Sequence, residues 1–234
     1  DKAESRGLGD VYKRQKFLSG QGNAMGGIVI DSGRFPWFGN AKYPSLSEPC
    51  PDYNGLTFAE TFGDMAFTLY SHAVSLRDLG CTQSPMNAWI TLNGVETLPL
   101  RMERHVENAQ KVAGFLQQHP SVEWVSYAGL SSSPYYQLAQ KYLQGKAGSV
   151  FTFGIRGGYE SGLRLLEKVE LFSHVSNIGD SRSLILHPAS TTHRQLSDEQ
   201  RLTAGAGPEV IRLSVGIESA EDLIADLEQA LEGL

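Results

Sequence analysis

Apolar positions in the second half of the chain follow helical and strand periods in turn. Across residues 85–118 they recur at three- and four-residue steps, which predicts one long helix. Pro99 lacks a backbone donor and its ring clashes one turn back, so we expect a kink there. Strands are predicted at 122–127, 149–155, 183–187 and 210–215, and helices at 134–143, 159–169 and 220–231.

This alternation of strands and helices is typical of an α/β sandwich. The last helix begins with a capping pattern, Ser219 followed by Asp222, and Leu223 and Leu227 belong to its buried stripe.

The first part of the chain is less regular. Residues 28–30 predict a short buried strand, and residues 64–79 have helical character. The stretch 34–62 is rich in proline, glycine and aromatic residues. Long loops inside compact proteins are usually functional. We favour an interface or an active-site rim for this stretch over a plain surface loop.

Composition narrows the class of protein. The formal net charge is −6 and no basic stripe is present, which argues against nucleic acid as a partner. No apolar run approaches the roughly 20 residues of a membrane span, and no signal-peptide pattern is visible. The two cysteines, Cys50 and Cys81, give no disulfide or zinc pattern. These features favour a soluble cytoplasmic protein without a membrane or metal partner.

Two runs near the C-terminus carry candidate chemistry. Residues 176–193 read S-N-I-G-D-S-R-S-L-I-L-H-P-A-S-T-T-H, and residues 212–218 read R-L-S-V-G-I-E. Arg212 on a strand beside a polar loop suits capture of a carboxylate, although an edge-strand arginine paired with a surface glutamate fits equally well. Asn177 could bind ligand or form a turn. Thr192 could line the same pocket or hydrogen-bond its own loop.

Other polar residues have plainer interpretations. His187 and His193 lie six positions apart, which fits no common zinc spacing, so we expect structural hydrogen bonds. His105 is expected to make helix-face contacts. Arg101 and Arg104 are expected on a charged face or at a subunit contact. Spacing alone makes Lys16, before F-L-S-G-Q-G, a surface lysine at a loop start; Gly20 and Gly22 in that run allow a tight turn.

Taken together, these runs resemble the Cys/Met-metabolism family of pyridoxal-phosphate enzymes, and within it the O-acetylhomoserine sulfhydrylases. Further matching stretches are F-L-S-G-Q-G, L-R-D-L-G-C, L-P-L-R-M-E-R-H-V-E-N-A and F-T-F-G-I. The resemblance runs from about Lys16 to Leu234. It implies part of a fold-type I pyridoxal-phosphate transferase, namely the end of the large cofactor domain and the small C-terminal α/β domain.

The resemblance also implies residue roles. Lys16 would bind pyridoxal 5′-phosphate covalently and act as the catalytic base, Arg212 would bind the substrate carboxylate, and the main chain of Asn177 would help to hold it. Thr192 is a further candidate for substrate contact in the same pocket. The implied reaction is γ-replacement on O-acetyl-L-homoserine by sulfide or a thiol, giving homocysteine or methionine. The alternatives are a cystathionine or methionine γ-lyase, a cystathionine γ-synthase, or a non-catalytic truncated domain. The family usually forms homotetramers built as dimers of dimers.

Only 15 residues precede Lys16, where the family carries most of its cofactor domain. We therefore expect a C-terminal fragment that binds the cofactor weakly or not at all by itself. Lys13-Arg14-Gln15 stands where the family has Ser-x-Thr, so residues 1–15 are expected to be a non-native tail rather than a genuine charged N-terminus. The expected divisions are a remnant of the large domain at 16–98 and the small domain at 99–234.

Overall fold

The structure is a computed structural model that describes residues 9–13 and 16–234. It divides into two compact units. The first contains the described residues 9–13 and Ala24–Ile90. The second contains residues 16–23 and Thr91–Leu234. The loop that follows Lys16 therefore belongs to the same compact unit as the C-terminal half of the chain.

The first unit is built from one strand pair and short helices. Strand β1 (Gly9–Lys13) pairs antiparallel with β2 (Gly27–Asp31). The strand predicted at 28–30 is confirmed, but its prediction as buried is wrong because Val29 and Ile30 are at least half exposed. The helices that follow are α1 (Pro44–Ser47), α2 (Phe58–Phe62) and α3 (Ala66–Tyr70), with a π-helical segment at Ser71–Asp78.

Aromatic rings of the loop-rich stretch 34–62 pack largely on one another. The Trp37 ring stacks on Phe67 with 5.6 Å between centroids and meets Tyr43 edge-on at 5.3 Å. A second group of rings surrounds Phe58, which is buried and meets Tyr53 and Tyr70 edge-on. These rings therefore act as a small core for the first unit. Their role at an interface or an active-site rim stays a prediction.

Two helices stand where the sequence predicts one kinked helix. Helix α4 (Pro85–Glu96) ends before Thr97, and α5 (Leu98–Gln118) begins after it. Pro99 is the second residue of α5, where a missing N–H costs nothing because that position has no intrahelical acceptor. The chain therefore breaks at Thr97, two residues before Pro99, and the prediction of a single kinked helix is wrong.

The second unit is a five-stranded sheet with strand order β3-β4-β7-β6-β5. Neighbouring strands are antiparallel except for the parallel pair β5 and β6. Its strands are β3 (Val122–Ser126), β4 (Val150–Ile155), β5 (Ser173–His174), β6 (Leu184–Leu186) and β7 (Val210–Ser214). Its further helices are α6 (Tyr136–Leu143), α7 (Gly158–Lys168), α8 (Asp198–Thr203) and α9 (Ala220–Leu231).

The hydrophobic core lies between one face of this sheet and helices α5, α7 and α9. Phe153, Ile211 and Leu213 on the sheet are fully buried, as are Leu116 of α5 and Leu227 of α9. The predicted stripe of α9 is confirmed, and Ser219 caps the helix by accepting the Asp222 amide. The predicted α/β class is confirmed. Among the described helices, none has the length and apolar character that crossing a bilayer requires.

The predicted domain boundary at Pro99 falls inside the second unit, and the predicted first domain contributes its residues 16–23 to that unit. The division of the fold into 16–98 and 99–234 stays a prediction. Of the tail predicted at 1–15, residues 1–8, 14 and 15 lie outside the described residues. Its strand Gly9–Lys13 is paired, and the non-native origin of the tail stays a prediction as well.

One buried carboxylate joins α9 to the loop after α7. Asp226 accepts the backbone N–H groups of Glu170, Leu171 and Phe172 at 2.8, 2.9 and 3.1 Å. Burial acts to raise the pKa of Asp226, but the three N–H donors and Gln229 together outweigh it and leave the pKa below its ordinary value of 3.8. The folded state therefore favours the ionised form.

Replacing Asp226 by Asn should lower the free energy of unfolding at pH 7 by about 1–3 kcal/mol, because buried donors lose a charged acceptor. The stabilising contribution of Asp226 is present above pH 3.8 and is lost as the pH falls through the lower folded-state pKa. Urea unfolding at pH 7 and near pH 3 measures both effects. The exposed Glu228→Gln change on the same helix serves as control. Equal stability of the Asp226→Asn and wild-type chains at pH 7 would contradict this account.

Candidate functional site

Side-chain alternation along β7 separates the core from the candidate site. Ile211 and Leu213 point into the core and are fully buried, so Arg212 and Ser214 lie on the opposite face of the sheet. Arg212 is flanked in register by Thr152 of β4 and by Leu186 of β6. A ligand of Arg212 would therefore bind on this face of the sheet.

Ser214 attaches the predicted ligand loop to this same face. Its hydroxyl accepts the Gly179 N–H at 2.9 Å. Two residues earlier, the Asn177 side-chain oxygen accepts a hydrogen bond from the Lys16 ammonium. Two residues later, the Ser181 N–H donates to the Gly20 carbonyl at 2.7 Å. The loop at 177–181 thus joins the strand of Arg212 to the loop of Lys16.

The loop after Lys16 is a tight turn. The Gly20 N–H donates to the Lys16 carbonyl at 2.9 Å, and Gly20 and Gly22 have φ of +82° and +64°. These are left-handed conformations that favour glycine, so the predicted turn is confirmed. Gly179 packs so closely that a Cβ atom there would lie 2.8 Å from the Phe17 nitrogen. The backbone of the 177–181 loop therefore packs directly against the backbone of the Lys16 loop.

Arg212 is partly buried, and burial lowers the pKa of its guanidinium from the usual value. An arginine remains charged despite such a shift. Within the part of the chain that the structure describes, no carboxylate or carbonyl pairs with the Arg212 side chain, and the edge-strand pairing with a surface glutamate does not form. A partly desolvated cation without an internal partner is suited to binding an external anion.

The other two predicted substrate contacts make local bonds. The Asn177 N–H donates to the Val175 carbonyl at 2.9 Å, so a substrate could use this N–H only by displacing that bond. Thr192 is exposed and its hydroxyl lies 2.9 Å from Nδ1 of His193 in its own loop. Substrate contact by Asn177 and Thr192 stays a prediction.

Both histidines of the C-terminal runs make hydrogen bonds within the protein, as predicted. His187 is fully buried, and burial lowers its pKa, which favours the neutral ring. Its Nε2 donates to the Pro208 carbonyl at 2.9 Å, and its Nδ1 lies 3.0 Å from the Ser190 hydroxyl. His193 pairs with Thr192.

Sequence reasoning missed the role of α5 next to the Lys16 loop. Arg101 was predicted on a charged face or at a subunit contact, but its guanidinium donates to the carbonyls of Phe17 and Gly94. His105 was predicted to make helix-face contacts, but it is fully buried and its Nδ1 bonds the Val215 carbonyl at 2.6 Å. Arg104 is exposed on the charged side, as expected. The available signal was the spacing of Arg101, His105 and Asn108, which places all three on one helix face.

The α/β unit thus joins the loop of a lysine to the strand of an arginine that has no internal partner among the described residues. A primary amine can bind a carbonyl cofactor and a guanidinium can bind an anionic substrate, so the arrangement suits a protein of that class. The family model described as Cys/Met metabolism PLP-dependent enzyme matches residues 11–232. The chain belongs to this family, whose cofactor is pyridoxal phosphate.

Individual relatives carry related names. The chain is 49% identical to O-acetyl-L-homoserine sulfhydrylase 1 of Thermus thermophilus, over 94% of this chain and 52% of that protein. It is 44% identical to homocysteine synthase of Schizosaccharomyces pombe, over 95% of this chain and 52% of that protein. The chain therefore spans about half the length of the curated relatives it matches.

A solved structure gives the same picture. A Campylobacter jejuni protein described as an O-acetylhomoserine (thiol)-lyase is 42% identical and superposes with a TM-score of 0.85. The match covers 96% of this chain and 54% of that one. That crystal structure contains N′-pyridoxyl-lysine-5′-monophosphate, a lysine joined to the cofactor.

The described residues fit this cofactor in two respects. The Lys16 amine donates a hydrogen bond to the side-chain oxygen of a neutral amide, Asn177. The Ser19 hydroxyl is buried and has no hydrogen-bond partner within the described residues, so a donor or acceptor is available in the turn after the lysine. A primary amine is the group that forms a covalent bond with an aldehyde cofactor.

Replacing Ser214 by Ala should loosen the ligand loop and leave the sheet intact, because the buried Gly179 N–H loses its acceptor. Amide exchange of residues 177–183 is expected to accelerate by about tenfold, the effect of roughly 1.4 kcal/mol of lost local stability. Exchange in β4 should not change. Ser131→Ala, at an exposed position, is the control. Unchanged exchange at 177–183 would show that Ser214 does not hold the loop.

Proposed function

We propose that this chain supplies the cofactor-binding lysine, Lys16, and the carboxylate-binding arginine, Arg212, of a pyridoxal-phosphate transferase. The proposed reaction is γ-replacement on O-acetyl-L-homoserine, in which sulfide or a thiol displaces acetate to give homocysteine or methionine. The names of the Thermus and Schizosaccharomyces relatives support this choice of substrate and product.

One observation carries the proposal most directly. Arg212 is a partly buried guanidinium that has no internal partner within residues 9–13 and 16–234, and it lies on the sheet face whose loop also bonds the Lys16 amine. An amino-acid substrate has an α-carboxylate that Arg212 could bind and an α-amino group of the same chemical kind as the Lys16 amine. The two protein groups therefore match the two ends of an α-amino acid.

The chain's own groups have distinct tasks in this reaction. Arg212 binds the α-carboxylate in a bidentate fashion and so fixes the orientation of the Cα–H bond. Lys16, once freed, acts as the base that removes the Cα and Cβ protons. When bound, pyridoxal phosphate supplies an electron sink for the charge that develops at carbon. Acetate would leave from Cγ, the sulfur nucleophile would add at the same carbon, and Lys16 would return the protons to Cβ and Cα.

We also propose that the whole protein forms a homo-oligomer, a dimer of dimers, as expected for the family. Large apolar side chains that remain exposed in the first unit support association with further protein surface. They include Phe38, Met65, Leu79, Met86 and Trp89.

A test of Lys16 uses the 234-residue chain joined to the part of the Thermus thermophilus relative that it does not cover. We expect borohydride reduction in the presence of pyridoxal phosphate to label Lys16 in preference to the exposed Lys141, and Lys16→Ala to abolish homocysteine formation. Peptide mapping and a product assay measure these outcomes. Labelling of other lysines with Lys16 unmodified would refute the assignment.

The same assay separates the alternatives. A γ-lyase would release acetate from O-acetylhomoserine without sulfide, and a cystathionine γ-synthase would use cysteine as the nucleophile. Formation of homocysteine only when sulfide is supplied supports the sulfhydrylase reaction. An inactive but folded protein would favour the non-catalytic domain.

Arg212→Met should lower kcat/KM for O-acetylhomoserine by about a hundredfold or more, because removing one member of a buried charge pair costs about 2–5 kcal/mol. Arg212→Lys keeps the charge but loses the planar fork, so an intermediate loss is expected. Arg156→Met, at an exposed arginine paired with Glu123, is the matched control. A loss in Arg156→Met equal to that in Arg212→Met would remove the support for a carboxylate site.

A further inference from the structure

Helix α5 presents a row of three polar side chains at positions 101, 105 and 108. Arg101, His105 and Asn108 are spaced by four and three residues and so lie on one face of the helix. His105 and Asn108 are almost completely buried. A buried polar row on a helix is costly unless every member is bonded, so the partners of the row show what it holds.

Arg101 holds the backbone of the Lys16 loop. Its Nη1 donates to the Phe17 carbonyl at 2.9 Å, and its Nη2 donates to the Gly94 carbonyl at 2.7 Å and approaches the Leu18 carbonyl at 3.5 Å. Its Nε donates to the Thr97 hydroxyl at 3.2 Å. The guanidinium therefore ties the two residues after Lys16 to the junction between α4 and α5.

The other two members of the row hold the turn after β7. His105 bonds the Val215 carbonyl at 2.6 Å. Asn108 donates to the carbonyls of Gly216 and Glu218 at 3.0 and 2.8 Å. Val215 directly follows the strand that carries Arg212, and the His105 ring meets the Phe17 ring edge-on at 5.5 Å. One helix face therefore contacts both the lysine loop and the end of the arginine strand.

We propose that Arg101 is a positioning residue: together with His105 and Asn108 on the same face of α5, it fixes the Lys16 loop relative to the strand of Arg212. This inference rests on the proposed function for the roles of Lys16 and Arg212. An α-helix is rigid and rises about 1.5 Å per residue. The three side chains, which span roughly two helical turns, therefore fix the distance between the Lys16 loop and the turn after β7. Without the Arg101 guanidinium, the Lys16 loop loses the hydrogen bonds that Arg101 donates to it from helix α5.

The first test is amide exchange on the 234-residue chain, comparing Arg101→Met, Arg101→Lys and wild type. Two bonds report on the loop: the Gly20 N–H to the Lys16 carbonyl and the Ser181 N–H to the Gly20 carbonyl. We expect about tenfold or faster exchange in peptides covering 16–22 and 177–183 of Arg101→Met, with β4 and β7 unchanged, because only a local opening is made easier. Arg101→Lys, which keeps the charge but not the fork, should give an intermediate acceleration.

Arg104→Met is the matched control, because Arg104 lies on the same helix but is exposed beside Glu107. It should leave both loop peptides unchanged. Loop exchange as slow in Arg101→Lys and Arg101→Met as in wild type would overturn the proposal. So would an equal acceleration in every peptide of the second unit, which would show a general structural role. If Arg101→Met fails to fold, Arg101→Lys alone decides between these outcomes.

The second test measures how selectively pyridoxal phosphate is trapped on Lys16. The ratio of borohydride-trapped pyridoxal phosphate on Lys16 to that on Lys141 should fall in both Arg101 variants and stay constant in Arg104→Met. If wild-type Lys16 is not labelled at all, the proposed function fails, and the exchange experiment still decides whether Arg101 positions the loop. A normal labelling ratio in Arg101→Met, with Lys16 labelled in wild type, would overturn the proposal.

Discussion

The fixed register of β7 is the constraint on which the candidate site depends. Ile211 and Leu213 are fully buried in the core, and a slip by one residue would place them on the opposite face and bring Arg212 into the core. The core therefore holds Arg212 and Ser214 on the site face. Because Ser214 then bonds the Gly179 amide, the position of the ligand loop follows from the same packing.

Hydrophobic packing alone does not place Lys16, which is distant in sequence from this strand. Its loop is held by backbone and polar contacts: the Ser181 amide on the Gly20 carbonyl, the Arg101 guanidinium on the Phe17 carbonyl and the close approach of Gly179. Such contacts are directional and short, so they define position more sharply than apolar contact does. The lysine loop thus belongs to the second compact unit although the chain leaves that unit directly afterwards.

The sequence predicted the periodic parts of the molecule well. Alternation along residues 210–215 and the stripe of α9 are properties of short stretches, and both are confirmed. The break at Thr97 was missed because apolar spacing continues through it, although Pro99 marked the region. The buried state of His105 was missed because its partner, Val215, lies far along the chain, and no local pattern reports such a contact. Lys16 and Arg212 were chosen by resemblance, since spacing alone favoured a surface lysine at position 16 and left two equal interpretations of Arg212.

The cations of the site differ in what they bond. The Arg101 guanidinium donates hydrogen bonds to neutral oxygens of the protein. Arg212, in contrast, makes no internal pair within the described residues. Folding already removes part of the water around the Arg212 guanidinium, so an incoming carboxylate meets a cation that is partly desolvated and held in place. A carboxylate side chain at this position would satisfy Arg212 and block the site. The lack of an internal partner for Arg212 within the described residues therefore supports the proposal that Arg212 binds an external anion.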